Sequence, residues 1–535
     1  MIKVFIFEVW QIISSDKKQN EKLKMKKSII PLLLIVSLCN LFAQTPSILW
    51  QKNQGGNSWD EAKMILPIQN GYIVAGNSSS SDGDVIGNHL PSYYGDIWVT
   101  KLDNLRNIIW QKCLGGNSYD NIGNISQTID GGFIIVGKTG SGELPGFHYT
   151  LNGNTDILVV KLNSSGDVEW QKCLGGSLSD SGFDILQTID GGYIISGSTD
   201  SFDGDLDGFF SSGNGSCWIV KLNNIGIIDW QKRIGGNGSD VAKCIKQLPN
   251  GEYIFTGFTT STNDAYATNQ GNYDVLVVRI DNTGNIIWQK CYGGTNNETS
   301  DNIQLTNDGG FIIAGTSNSN NGNVTNNNGG FDFWILKLDT IGNLEWQKSI
   351  GTEGKDAATD VQQTSDNNYV ISGIINEFQD ETLNIGDAYL IKLNSSGNEM
   401  WSKTLGGSLR DKANSVTQTI DGGYLVSGYS YSNDGDLTGN NGFSDFWILK
   451  LSTDNLSTTS VLENRNFLMY PNPAKSIVTV DDEIVEVKVY SIDGKKIEIQ
   501  YTNNIIDVSN LANGTYILIG KNKNGKIFEN KLIKK

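Results

Sequence analysis

The sequence is poor in the residue types on which much enzyme chemistry rests. Only two histidines, His89 and His148, occur in 535 residues, which leaves almost no material for His-rich metal sites or Ser/His/Asp triads. Of six cysteines, the five beyond residue 43 (Cys113, Cys173, Cys217, Cys244 and Cys291) form an odd set at no disulfide-framework spacing. They read as small apolar strand residues. Proline counts 8 against 62 glycines with no collagen period, which points to many tight turns rather than proline-rich linkers. No mature segment approaches the roughly 18 apolar residues of a membrane helix, so no integral span is expected there. Positive charge is also scarce, with 41 Lys plus Arg against 58 Asp plus Glu and a net charge of −17. A chain so acidic repels a phosphate backbone, which excludes a generic nucleic-acid binder. What is abundant is apolar: 38% of residues, enough for a large core and too much for a wholly disordered chain.

The first segment has the layout of an export signal. Met25-Lys26-Lys27 supplies a basic start, Ile29 to Leu38 a short apolar run, and Ala43 a small residue before a cut. Residues 1–43 therefore read as a signal peptide whose true start is Met25. Cys39 follows Leu38 where a lipoprotein signal wants a small residue, which argues against lipidation. The acidity lies downstream: residues 44–464 hold 23 basic and 47 acidic groups, a net of −24.

A repeat organises residues 44–452. Trp50, Trp110, Trp170, Trp230, Trp288, Trp346 and Trp401 recur at spacings of 60, 60, 60, 58, 58 and 55, six followed by Gln-Lys and the last by Ser-Lys. Such a period marks a repeat architecture. After each Trp come a Gly-containing turn, an apolar stretch, a second turn such as Asp190-Gly191-Gly192, and another apolar stretch such as Tyr193-Ile194-Ile195-Ser196-Gly197. Asp-Gly supplies the positive φ of a tight hairpin. A long polar loop follows, then a second hairpin such as Asp332 to Leu338 and Leu344 to Lys348 around Ile341-Gly342-Asn343. Four short strands per repeat fit a β-propeller blade better than a solenoid coil.

The phrase Arg279-Ile280-Asp281-Asn282-Thr283-Gly284-Asn285-Ile286-Ile287-Trp288 resembles the tryptophan-docking motif of quinoprotein-type propellers, and the whole repeat resembles secreted bacterial Trp-Gln-Lys/Asp-Gly-Gly repeats. The first resemblance implies that Trp lies on the fourth, outermost strand of each blade. The seventh copy then lacks a fourth strand, while Ile48-Leu49-Trp50-Gln51-Lys52 is an unmatched one. The expected fold is all-β: a seven-bladed β-propeller closed by the N-terminal strand, followed by a small C-terminal β-sandwich. Several separate sandwich domains are the alternative. The quinone pocket of the quinoprotein family is not recognisable, so no cofactor is carried over.

After a linker at 453–466, residues 467–535 carry different phrases. They include Tyr470-Pro471-Asn472-Pro473, Asp493-Gly494 and Gly514-Thr515-Tyr516, between short alternating strands. These closely resemble the C-terminal sorting domain of the type IX secretion system of Bacteroidota. The resemblance implies export to the outer-membrane cell surface or the medium, with the secretion machinery as partner.

Candidate site residues fall in three groups. Ten residues after each Trp stands an acid: Asp60, Asp120, Asp180, Asp240, Glu298, Asp356 and Asp411. Seven such carboxylates near one channel rim suit a cation or a basic ligand, whereas one acid per repeat also suits a turn cap. The long loops carry Asp82-Gly83-Asp84, Asp203-Gly204-Asp205-Leu206-Asp207-Gly208 and Asp434-Gly435-Asp436. In the middle one Asp203, Asp205 and Asp207 match the first half of an oxygen-rich calcium loop, and Asn214 takes the place of the bidentate Glu of an EF-hand. The same phrase also suits solvated turn residues, so no cofactor is required and calcium is the one candidate. Tyr93, Tyr94, Phe209, Phe210 and Tyr266 are loop aromatics able to stack on sugars. Trp98, Trp218, Trp334 and Trp447, with Leu158, Leu276 and Tyr389 at the equivalent places, read as core. The expected function is an exported binding protein with a glycan or protein ligand. The alternatives are a carbohydrate-active hydrolase or lyase, which needs two acids that break the repeat pattern in one pocket, and a purely structural surface protein.

Overall fold

A computed structural model describes residues 45–89, 95–144, 154–208, 215–262, 269–379, 384–437, 439–454, 469–470, 472–480, 484–491, 495–502, 504–522 and 527–535. The expected signal peptide and most of the expected linker lie outside these residues. The chain divides into two compact units, residues 1–456 and 457–535.

One repeat shows how the sequence builds a sheet. The runs at Asp180–Gln187, Tyr193–Thr199, Ser216–Leu222 and Ile228–Ile234 pair in that order as four antiparallel strands. Between the first two, Gly191 adopts φ 84°, and Asp190 Oδ1 accepts the Gly192 N–H at 3.0 Å. The same carboxylate takes the ammonium of buried Lys221 at 3.0 Å, so the hairpin turn and the third strand are fastened by one Asp. The central strands are rich in Ile and Val and buried on both faces, with every residue of Ser216–Leu222 buried, as suits strands covered on both sides.

Among the described residues of the first unit, seven such four-stranded antiparallel sheets occur. In the last of them Asp411–Gln418, Tyr424–Ser430 and Asp445–Leu451 come from one repeat, and the fourth strand is Ile48–Gln54, with Gln51 opposite Leu449. The first strands of the sheets are Asp60–Ile68, Asp120–Gln127, Asp180–Gln187, Asp240–Gln247, Glu298–Leu305, Lys355–Gln363 and Asp411–Gln418. Each touches the next, and the last touches the first.

The core lies between neighbouring sheets. Ile73, Ala75, Ile97 and Val99 of one sheet pack on Ile122, Ile125, Ile135 and Leu158 of the next. Leu425, Phe446 and Ile448 pack on Ala62, Ile65 and Val74 in the same way. Full burial of each such aliphatic side chain stabilises by about 1.5–3 kcal/mol. Trp98, Trp218, Trp334 and Trp447 are wholly buried, and each indole N–H donates to the Gln that follows a repeat Trp: Gln111, Gln231, Gln347 and Gln51. The repeat Trp rings reach across to the following sheet. Trp288 lies against Gly342, where a Cβ would come within 2.8 Å of the ring and where φ is 78°. Each also meets the aromatic after the hairpin turn, from Trp50 with Tyr72 at 5.6 Å to Trp401 with Tyr424 at 5.6 Å.

Among its described residues the second unit has two four-stranded sheets around a shared core that includes Val478, Val489, Ile506, Leu518 and Leu532. No disulfide joins the five cysteines of the described residues.

Candidate functional site

The seven acids spaced ten residues from Trp are brought to equivalent places at the starts of the first strands, and all are buried. Each takes a backbone N–H from four residues back. Asp60 accepts Gly56 N–H at 2.8 Å, Asp180 accepts Gly176 at 2.9 Å, and Asp120, Asp240, Glu298, Asp356 and Asp411 do likewise. Serine hydroxyls at 80, 141, 201, 261 and 432 also donate to Asp60, Asp120, Asp180, Asp240 and Asp411. These carboxylates therefore hold the turn that joins one sheet to the next.

A second acid, from the third strand of the preceding sheet, stands beside several of them. At Gly55 a Cβ would fall 2.5 Å from Asp445 Oδ1 and 2.6 Å from Asp60 Oδ2. At Gly293 it would fall 2.4 Å from Asp274 Oδ1 and 2.6 Å from Glu298 Oε2. Only glycine leaves room for the pair. Burial pushes the carboxyls of Asp180, Asp274 and Asp445 up to about 6, and the neighbouring acid adds to the rise. Two buried carboxylates this close resist joint ionisation.

The acidic loops fold onto the same turns. Asp82, Asp203 and Asp434 accept the N–H of Asn57, Ser177 and Ser408 at 2.8, 2.7 and 2.7 Å, and Asp205 accepts Gly175 N–H at 3.0 Å. Asp207 is exposed. Among the described residues no group of three or more His, Cys, Asp or Glu is arranged to hold a metal ion. Of the three acids in the calcium-loop reading, Asp203 and Asp205 thus each have one oxygen engaged by a backbone amide. Tyr93, Tyr94, Phe209, Phe210 and Tyr266 lie outside the described residues.

A third place emerges only in three dimensions. Each first strand carries a β-bulge three residues after its acid, at Lys63, Gly123, Phe183, Lys243, Asp301, Thr359 and Asn414. Bulges re-aim side chains, and these seven residues all line one cavity of about 290 Å³. Around it runs a belt of bonds between first strands. Asn124 donates to Asp184 Oδ1, and Ile245 N–H and the Lys246 ammonium both reach Asp184 Oδ2 at 3.0 Å. Val416 N–H reaches Asp360 Oδ2 at 3.0 Å, and Asn414 donates to the Ala62 carbonyl at 2.7 Å. Asp360 also accepts Val361 N–H at 2.9 Å, and burial pushes its carboxyl up to about 6. Lys412 and Lys138 complete the polar lining. Burial brings the amine of Lys412 down to about 8 and lowers those of Lys243 and Lys138, with Lys63 adding to the effect at Lys412 and Lys243. The sequence reading missed this cavity, although a signal existed. Aligned on the acid, the column three residues on reads Lys, Gly, Phe, Lys, Asp, Thr, Asn, whereas the column five on holds only Ile and Val.

In the second unit Tyr470 ends the short strand Met469–Tyr470. Asn472 accepts Ile533 N–H at 2.8 Å, Gly514 opens the strand Gly514–Asn522, and buried Tyr516 donates to the Ala512 carbonyl at 2.8 Å. Pro473 is described next to Asn472, whereas Pro471, Asp493 and Gly494 lie outside the described residues.

Residues 468–535 match the family described as the secretion system C-terminal sorting domain. That domain marks the chain for type IX export to the cell surface or extracellular space. No helix of the described residues is long and apolar enough to cross a membrane. No curated protein matches the sequence. Among solved structures the chain is similar to BamB from Moraxella catarrhalis, with 12% identity, 76% of this chain and 100% of that one covered, and a TM-score of 0.35. Sqt1 from Chaetomium thermophilum matches at 10% identity over 71% and 83%, with a TM-score of 0.37. The Neurospora crassa Pan2 WD40 domain matches at 11% identity over 64% and 90%, with a TM-score of 0.35.

Proposed function

We propose that this chain is an exported binding protein: a seven-bladed β-propeller, closed by Ile48–Gln54 as the outer strand of the last blade, that takes an extracellular glycan or protein group into its central channel. In this reading residues 1–43 are cleaved as a signal peptide, 44–452 form the propeller, 453–466 link, and 467–535 are the sorting domain. One observation carries the binding role. Seven strands repeat their core columns yet present Lys, Gly, Phe, Lys, Asp, Thr and Asn to one shared cavity. A purely structural ring has no need of that variety.

The hydrolase or lyase reading asks for pattern-breaking acids with oxygens free for a substrate. Asp184, Asp301 and Asp360 break the pattern, but backbone N–H groups and Lys246 already hold oxygens of Asp184 and Asp360, which leaves exposed Asp301 where the reaction asks for two acids. The test is a broad array of glycans probed with the purified chain in calcium and in chelator. Saturable hits of equal strength in both buffers, lost in Phe183→Ala, are expected. Hits that need calcium, or that survive Phe183→Ala unchanged, move the site to the loops; an empty array favours a protein partner or the structural role.

A further inference from the structure

The fully buried lysines of the first unit are all paired with carboxylates, whereas the half-buried lysines of the channel are not. Lys161, Lys221, Lys337, Lys392 and Lys450 are buried at equivalent third-strand positions, and each has a carboxylate within 2.5–3.0 Å. Lys246 is likewise paired with Asp184 at 3.0 Å. Lys63, Lys138, Lys243 and Lys412 line one cavity and make no ion pair among the described residues. Lys243 has only the Phe183 ring, 3.9 Å from its ammonium, a weak partner beside a carboxylate. The acids on the cavity wall do not balance them. Asp184 is paired with Lys246, which leaves Asp360, held by two backbone N–H groups, and exposed Asp301 as two carboxylates against four ammonium groups. Beyond the effect of burial, Lys63 disfavours the charged amines of Lys243 and Lys412, and Lys138 that of Lys243, as like charges in a half-buried site do.

This cluster sits in a segment whose net charge is −24. Four half-buried lysines that make no ion pair among the described residues therefore converge on one cavity, where positive charge is in excess. Resting on the channel reading above, we infer that the cavity binds a compact multivalent anion, a small molecule bearing two or more carboxylate or phosphate groups, held chiefly by Lys63, Lys243 and Lys412. The cavity of about 290 Å³ lies at the low end of the roughly 300–1,000 Å³ of small-molecule sites, which favours a small ligand over a polymer. The acidic surroundings repel extended polyanions such as nucleic acid. Lysine ammonium groups are mobile point charges, suited to oxyanions of either geometry, and Phe183 supplies an apolar wall.

Calorimetry with the purified full chain at about 0.15 M salt, where long-range fields are screened, tests this with citrate, pyrophosphate and uncharged glucose. Saturable binding of citrate or pyrophosphate is expected, and the tighter of the two identifies the carboxylate or phosphate arm. Lys243→Met with Lys412→Met is expected to weaken it by about tenfold or more, while Asp301→Asn, which removes the opposing charge without disturbing the strands, is expected to tighten it. No saturable binding of either anion up to about 10 mM, or equal affinity in the double lysine variant, overturns the inference. Asp301→Asn gives an independent reading should the double variant fold poorly: unchanged affinity there also counts against the site. Neutral glycans bound in a Phe183-dependent way without any anion binding would defeat the anion and leave the channel reading standing.

Discussion

At the residue scale the protein sorts its acids into two electrostatic classes. Asp130, Asp308, Asp366 and Asp421 sit in the hairpin turns, where burial opposes ionisation but hydrogen bonds from the third-strand lysine, a threonine and the turn N–H or an Asn outweigh it and hold the carboxyls at about 2. Asp180, Asp274 and Asp445, crowded against a second acid, stand near 6. The two classes give opposite pH dependence. A carboxyl raised in the fold keeps its proton while the unfolded chain loses its own, so its stabilisation is present below about pH 4 and is lost as pH rises towards 6. A carboxyl lowered in the fold stabilises above about pH 4, and that support is lost as pH falls towards 2. Thermal midpoints measured from pH 3 to 8 are expected to peak near pH 4 and decline towards 7. Asp445→Asn, which keeps the shape and removes one charge of the Asp60–Asp445 pair, is expected to flatten the decline and raise stability at pH 7 by about 1–3 kcal/mol. A steeper decline would contradict the crowding account.

At the scale of the element, what distinguishes a blade is how it grips its neighbour. The repeat Trp leaves its own sheet to lie on the positive-φ glycine and the hairpin aromatic of the next. Trp230 meets Gly284 and Tyr253 this way. Trp230→Ala is expected to cost about 2–4 kcal/mol, somewhat less than a wholly buried Trp because the ring is half-buried. Denaturant midpoints would measure it, and a loss below about 0.5 kcal/mol, the level of an ordinary surface change, would show the contact to be incidental.

For the whole molecule, the decisive contact joins the two ends of the propeller segment. Gln51 accepts the Trp447 indole N–H at 3.1 Å, and Ser452 N–H reaches the Ser47 carbonyl at 2.8 Å. Without residues 45–54 the strand Asp445–Leu451 becomes an edge with unpaired backbone groups, and Trp447 loses its partner. Deletion of 45–54 is therefore expected to give a chain that aggregates or melts well below the intact one in scanning calorimetry, far more than an equally long deletion from a polar loop. Equal midpoints would mean that the strand is dispensable.

Much of this was legible in the sequence because a repeat states each rule several times. The Trp period, the Asp-Gly-Gly turn and the alternation of apolar columns determine four strands per unit by local physics: positive φ at glycine, β-branched residues in pleated runs, and one acid able to satisfy each turn. The C-terminal phrases likewise mark the sorting domain without reference to shape. The same regularity hid the site. Lys63, Phe183, Lys243, Asp301 and Lys412 are far apart in the chain and share no motif, and each alone reads as an ordinary strand residue. Only the contact of each first strand with the next, with a bulge in every one, brings them to one cavity and leaves its lysines without ion pairs among the described residues. Likewise, Asp60 and Asp445 lie 385 residues apart, and only the meeting of the first and last sheets makes them a pair, because the energy of a charge depends on what the fold sets beside it.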